Sequence, residues 1–172
     1  MKFFKYKGRV KRMKMEALFE KYGCDTQHKE QAVFASIFIL QNRLQTAGEK
    51  LQTEISMKQW LLLAMAECCP EPRTLTNIGE LMGCSRQNIK KLAAALEKKG
   101  FVRLVPGNGR SVQVVLTEKA ELYEKKMAER QRQLLELLFA DFDVKETDEL
   151  FRLYARLYMG MERAEKYAEE FE

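Results

Sequence analysis

Between Thr74 and Leu116 the hydrophobic period of the chain changes twice, and the points of change carry their own punctuation. Thr74 opens a short helical pattern over 75–82 that Gly83 closes, as a glycine just past a helix end does. Ser85 is then placed to cap a second helix ending at Gly100. Inside it Ile89, Leu92, Ala93 and Leu96 recur at i, i+3, i+4 and i+7, one inward stripe, which turns Gln87, Lys91, Ala94 and Lys98 outward with Lys90 beside them. After Gly100 the pattern becomes extended. The segments 101–105 and 111–116 are rich in β-branched residues and flank Pro106-Gly107-Asn108-Gly109, a run of turn formers. The order predicted is helix, turn, helix, hairpin.

The flanking segments read as helices. Residues 31–47 carry Ala32, Val33, Phe34, Ile37, Phe38, Ile39, Leu40 and Leu44 around more than half the circumference, which predicts burial on more than one face. Ser56 is the expected N-cap of a helix running through Trp60 and Met65 to Cys68, ended by the Pro-Glu-Pro at 70–72. Thr117 begins a long helix to about Leu138, with Gln131 interrupting its apolar stripe and a break expected near 141–143. The last helix sets Leu150, Tyr154, Leu157, Met161, Ala164, Ala168 and Phe171 at spacings of four and three. That is an unbroken heptad seam asking for a partner helix. The fold class expected is mainly α with a small β-hairpin wing (α+β), in one domain of 172 residues. Its expected parts are a basic extension over 1–26, a helical dimerisation region over 27–50 and 118–172, and a winged helix-turn-helix lobe over 56–116.

Charge placement narrows the function. From Thr74 to Leu116 seven basic residues face two acidic ones, a surplus of five that equals the whole chain's net charge of +5. A positive excess confined to one module is the footprint of a polyanion binder. The basic start, seven Lys or Arg in the first fifteen residues with Phe3, Phe4 and Tyr6, reads as a solvated or dimer-packing extension before a nucleic-acid arm. No run of eighteen apolar residues and no signal-like start is present, so a cytoplasmic location is expected. Four cysteines without CxxC spacing and one histidine give no zinc ligand set, and free thiols are expected. No carboxylate pair, nucleophile with base, or phosphate-cradling loop stands at usable spacing, so no catalytic residue, metal or cofactor is expected and the chain is not read as an enzyme.

The start of the second helix, Ser85-Arg86-Gln87-Asn88, presents side chains whose forked geometry pairs with guanine or adenine edges in a major groove. Arg86, Gln87 and Asn88 are the base-reading candidates. Lys90, Lys91 and Lys98 are phosphate candidates, and Arg110 is the basic residue at the hairpin tip.

Met57-Lys58-Gln59-Trp60, Thr74-Leu75-Thr76, Leu81-Met82-Gly83-Cys84-Ser85-Arg86-Gln87-Asn88 and Leu96-Glu97-Lys98-Lys99-Gly100-Phe101-Val102 resemble the MarR (multiple-antibiotic-resistance regulator) family, from about residue 30 to the C-terminus. The resemblance implies a homodimer whose first and last helices interlock, and two winged lobes on a near-palindromic site in double-stranded DNA, commonly as a repressor. It adds Thr74, Thr76 and Ser85 to the DNA-binding set. The wing departs from the family's Asp-Pro-x-Asp-Arg-Arg. Its loop is shorter, has lost the acids and one arginine, and keeps Arg110 alone.

The resemblance also implies release by a small aromatic or phenolic effector between the dimerisation helices and the winged lobe, for which Phe34, Phe38, Trp60 and Met65 are the candidates. Met and aromatic residues at helical spacing are more often core. Two alternatives stand beside this reading. One is a thiol-based redox regulator acting through Cys24, just before the first long helix, where the helix terminus lowers a thiol pKa. The other is a winged-helix protein-interaction module whose basic face meets an acidic partner.

Overall fold

A computed structural model of the chain describes residues 26–171. Cys24 and nearly all of the basic extension lie outside the described residues. The element order is α1 (Thr26–Leu51), α2 (Met57–Cys68), α3 (Leu75–Leu81), α4 (Arg86–Lys98), β1 (Val102–Pro106), β2 (Val112–Leu116), α5 (Glu118–Leu138), α6 (Val144–Tyr158) and α7 (Met161–Ala168), closed by a 3-10 turn over Glu169–Phe171. The expected fold class, helical with a two-stranded antiparallel hairpin, is the one observed.

The caps act where the sequence places them. Ser56 accepts from the Gln59 backbone N–H at 3.2 Å while the Gln59 side chain accepts from Ser56 N–H at 3.1 Å, a reciprocal capping box that starts α2. Thr74 accepts from Asn77 N–H and Ser85 from Asn88 N–H, starting α3 and α4. The hairpin pairs Val102 with Leu116 and Pro106 with Val112. The strands begin and end a residue later than the sequence suggests at the first arm, because Phe101 is used otherwise. Its carbonyl accepts from Thr117 N–H and Oγ1, and its ring is fully buried.

One core holds the lobe together. Leu62, Leu75, Ile78, Ile89, Leu96, Phe101, Val102 and Val114 are all sealed from water, and Tyr123 and Met127 of α5 complete the cluster. The Tyr123 ring meets Phe101 edge-on at 5.3 Å, and its hydroxyl donates to Gln52 Oε1 at 2.7 Å and accepts from Thr53 N–H. These contacts anchor the root of α5 to both the hairpin and the α1–α2 junction. Beside them Glu54 pairs with Lys119 and Lys126, whose charges outweigh the desolvation that raises its carboxyl, so its pKa falls below the usual value.

Two expectations need correction. The first long helix extends beyond 31–47 at both ends and takes in Gly48, where a Cβ would fall within 3 Å of the Met57 side chain, so the glycine answers a close approach and does not end the helix. The heptad seam is also not one unbroken helix. At Gly160 the backbone N–H turns to Leu157 O at 2.9 Å, an i to i−3 bond, and a regular helix restarts when Ala164 N–H reaches Gly160 O. A Cβ at Gly160 would lie 2.9 Å from that same carbonyl, so the tight turn uses the glycine.

Candidate nucleic-acid interface and the adjoining cavity

The turn between α3 and α4 is set by close backbone contact. Cys84 N–H bonds Gly79 O at 2.8 Å, and Gly83 takes a positive φ of 59° that a side chain disfavours. Gly79 is buried, and a Cβ on it would lie 2.7 Å from the Cys84 carbonyl oxygen. Backbone cannot yield as a flexible side-chain end can. Gly79→Ala is therefore expected to force α3 and α4 apart and to lower stability by about 1–3 kcal/mol. A chemical-denaturation midpoint unchanged from wild type would sink this account of the turn.

Across the face that α4 presents, the structure sorts the candidate residues cleanly. Ile89, Ala93 and Leu96 are buried, while Ser85, Arg86, Gln87, Asn88, Lys90, Lys91 and Lys98 are all exposed. The Arg86 guanidinium donates to the Arg110 carbonyl oxygen at 3.4 Å, bringing the wing tip against the start of α4. Thr74, Thr76, Arg86, Arg110 and Ser111 line one open hollow of about 210 Å³. Thr74 also bridges to Gln113 of β2, and Val114 N–H bonds Arg73 O at 2.9 Å, so the segment before α3 runs beside the hairpin as a short third edge. Lys98, at the far end of α4, stands apart from this hollow. Lys99, which the sequence reading did not single out, faces away from it: its ammonium donates to Glu54 O and Gln59 Oε1, tying α4 to the α1–α2 loop.

A larger cavity of about 380 Å³ opens on the other side of the lobe, between α2, β2 and α5. Trp60, Leu63, Ala64 and Glu67 enter it at i, i+3, i+4 and i+7, one stripe of α2. From α5 come Glu121, Tyr123, Glu124 and Gln131, and from the α2–α3 loop Arg73. Of the four aromatic and Met candidates for an effector site, the structure brings only Trp60 here. Met65 packs against the core, while Phe34 and Phe38 stack edge-on at 5.1 Å on the outside of α1, 65% and 55% exposed. The glutamates escaped the sequence reading because Glu67 and Glu124 lie 57 positions apart and each, alone, looks like a solvated helix charge.

The thiols are unequal in setting. Cys69 is buried, which pushes its pKa up and away from the reactive thiolate. Cys68 is exposed, and Cys84 lies half-buried in the turn before α4. Among the described residues no His, Cys, Asp and Glu group is arranged to hold a metal ion, and no helix is long and apolar enough to cross a membrane.

No protein-family model matches this sequence, and no curated protein matches it. Solved structures do match the fold. A MarR/EmrR family transcriptional regulator from Acinetobacter sp. ADP1 superposes with a TM-score of 0.69 at 18% identity, over 78% of this chain and 97% of that one. The Staphylococcus aureus MarR in complex with salicylate and kanamycin gives 0.67 at 16% identity, over 78% and 93%. The PcaV transcriptional regulator from Streptomyces coelicolor in complex with its natural ligand gives 0.59 at 22% identity, over 71% and 91%. The chain has the winged-helix fold of these regulators.

Proposed function

We propose that this chain is a MarR-family transcriptional regulator, a sequence-specific double-stranded DNA-binding protein that acts as a homodimer, represses from a near-palindromic operator and is released by a small-molecule effector. The observation that carries the reading is the exposed start of α4, where Arg86, Gln87 and Asn88 stand beside a hollow shared with Thr74, Thr76 and the wing-tip Arg110. A helix start of this kind reads base edges while its flanks meet phosphate. Lys90, Lys91 and Lys98 supply the backbone contacts in this account, and the wing reaches DNA through Arg110 alone.

A second copy of the chain is the partner that the bare apolar surface fits. α6 buries none of its residues, yet carries Leu150, Phe151, Tyr154 and Leu157, and α1 leaves Phe34 and Phe38 outside. Apolar area on this scale marks an interface. The effector reading rests on the cavity beneath the lobe and on the two ligand-bound regulators of the same fold.

Selection of binding sites from a random duplex pool at near-physiological salt tests the function. The expected result is a motif with two inverted half-sites about one helical turn apart. Recovery of no motif, with only weak salt-sensitive binding, would overturn the reading and favour a winged module that binds an acidic protein. Given an operator, Arg86→Ala or Gln87→Ala is expected to relax base preference at one position per half-site, costing about 1–3 kcal/mol. A base preference identical to wild type would remove that residue from the reading set.

A further inference from the structure

From the cavity between α2, β2 and α5 we infer that the ligand this protein takes is an aromatic organic cation rather than a phenolic or carboxylic acid. The inference rests on the effector reading above and names the class of compound that the same cavity accepts. Its charge is the first reason. Glu67 from α2 and Glu121 and Glu124 from α5 line it, against a single guanidinium, Arg73 from the loop, while β2 contributes only Val115 and Leu116. Arg73 Nε stands 3.4 Å from the carboxylate of the exposed Glu71 but makes no hydrogen bond to it. The lining therefore carries a net negative charge, and a cleft with walls of one sign concentrates the opposite sign. An ionised acid entering here meets three carboxylates.

The second reason is the apolar part of the wall. Trp60, half-buried and on the cavity lining, brings an indole, the ring type that attracts ammonium groups best, and Leu63, Ala64 and Ala120 are the apolar residues beside it. At about 380 Å³ the space falls in the range of small-molecule sites and holds one aromatic ring with a bulky ammonium group.

Trp60 is the chain's single tryptophan, so its fluorescence reports this cavity and nothing else. The intact protein, free of DNA, is titrated with benzyltrimethylammonium, with its neutral isostere neopentylbenzene and with salicylate. The expected result is saturable quenching by the cation, at least tenfold tighter than by either other compound. In the Glu121→Gln/Glu124→Gln variant the cation is expected to weaken at least tenfold while the neutral isostere is unaffected. Both positions are exposed helix sites, and an unchanged circular dichroism spectrum certifies the fold. Equal binding of the neutral isostere, tighter binding of salicylate, or an indifferent double variant would each overturn the inference. None of these outcomes depends on DNA, so failure here leaves the operator selection standing, and failure of that selection leaves this titration readable.

Discussion

Phe101→Ala is expected to lower the stability of the protein by about 3–5 kcal/mol, the cost of emptying a fully buried aromatic site. The position is more than a filled space. The ring is wholly sealed, meets Tyr123 edge-on and carries the Lys119 ammonium 4.5 Å above its face, while the Phe101 carbonyl takes two hydrogen bonds from Thr117. Truncation leaves those backbone bonds intact but removes the packing that joins the hairpin to α5. Equilibrium unfolding in urea checks the figure, and a loss under about 1 kcal/mol would mean the site collapses around the missing ring. The variant is also expected to expose Tyr123, visible as increased tyrosine accessibility below the unfolding transition.

Leu150→Glu together with Leu157→Glu is expected to convert the proposed dimer to a monomer and to weaken binding to a selected operator by about 10²–10⁴-fold, the advantage lost when two linked contacts become one. Both leucines lie on α6, none of whose residues is buried, so the lobe itself should fold unchanged. Sedimentation velocity reads the first effect and a mobility shift the second. A variant that sediments as wild type would take α6 out of the association seam.

The helix-turn-helix and its hairpin were legible because their signals are local. Thr74, Ser56 and Ser85 each cap within three residues, and Ile89, Ala93 and Leu96 reveal the inward side of α4 by spacing alone. Gly83 and Gly100 mark chain reversals that do take positive φ. What escaped the sequence depends on contacts between distant segments or on glycines in ordinary conformations. Gly48 looks like a helix end and is instead a close approach to Met57. Gly160 stays in right-handed helical backbone and only tightens one turn, so an apolar repeat runs across it without a signal. Phe34, Phe38, Trp60 and Met65 are candidates only through the resemblance, and where the helices meet decides among them: of the four, Trp60 alone lines the cavity between α2 and α5. The acidic wall was invisible for the same reason, since pairing Glu67 with Glu124 requires knowing how those helices meet.

The short edge formed by Thr74 and Arg73 along β2 has a mechanical meaning. With α3, α4 and the wing stitched to one another and to a shared core, the wing has no joint of its own on which to swing. In the proposed DNA-binding role, a change in fit to a duplex then comes from α5. At 21 residues α5 is a lever roughly 30 Å long, and a tilt of about 5° displaces its far end by about 3 Å. In the proposed dimer two such levers stand back to back as a pair of calipers, whose jaws must match half-sites about 34–36 Å apart. In that proposed assembly the cavity lies along the lever from Ala120 to Gln131, where a small wedge would tilt it.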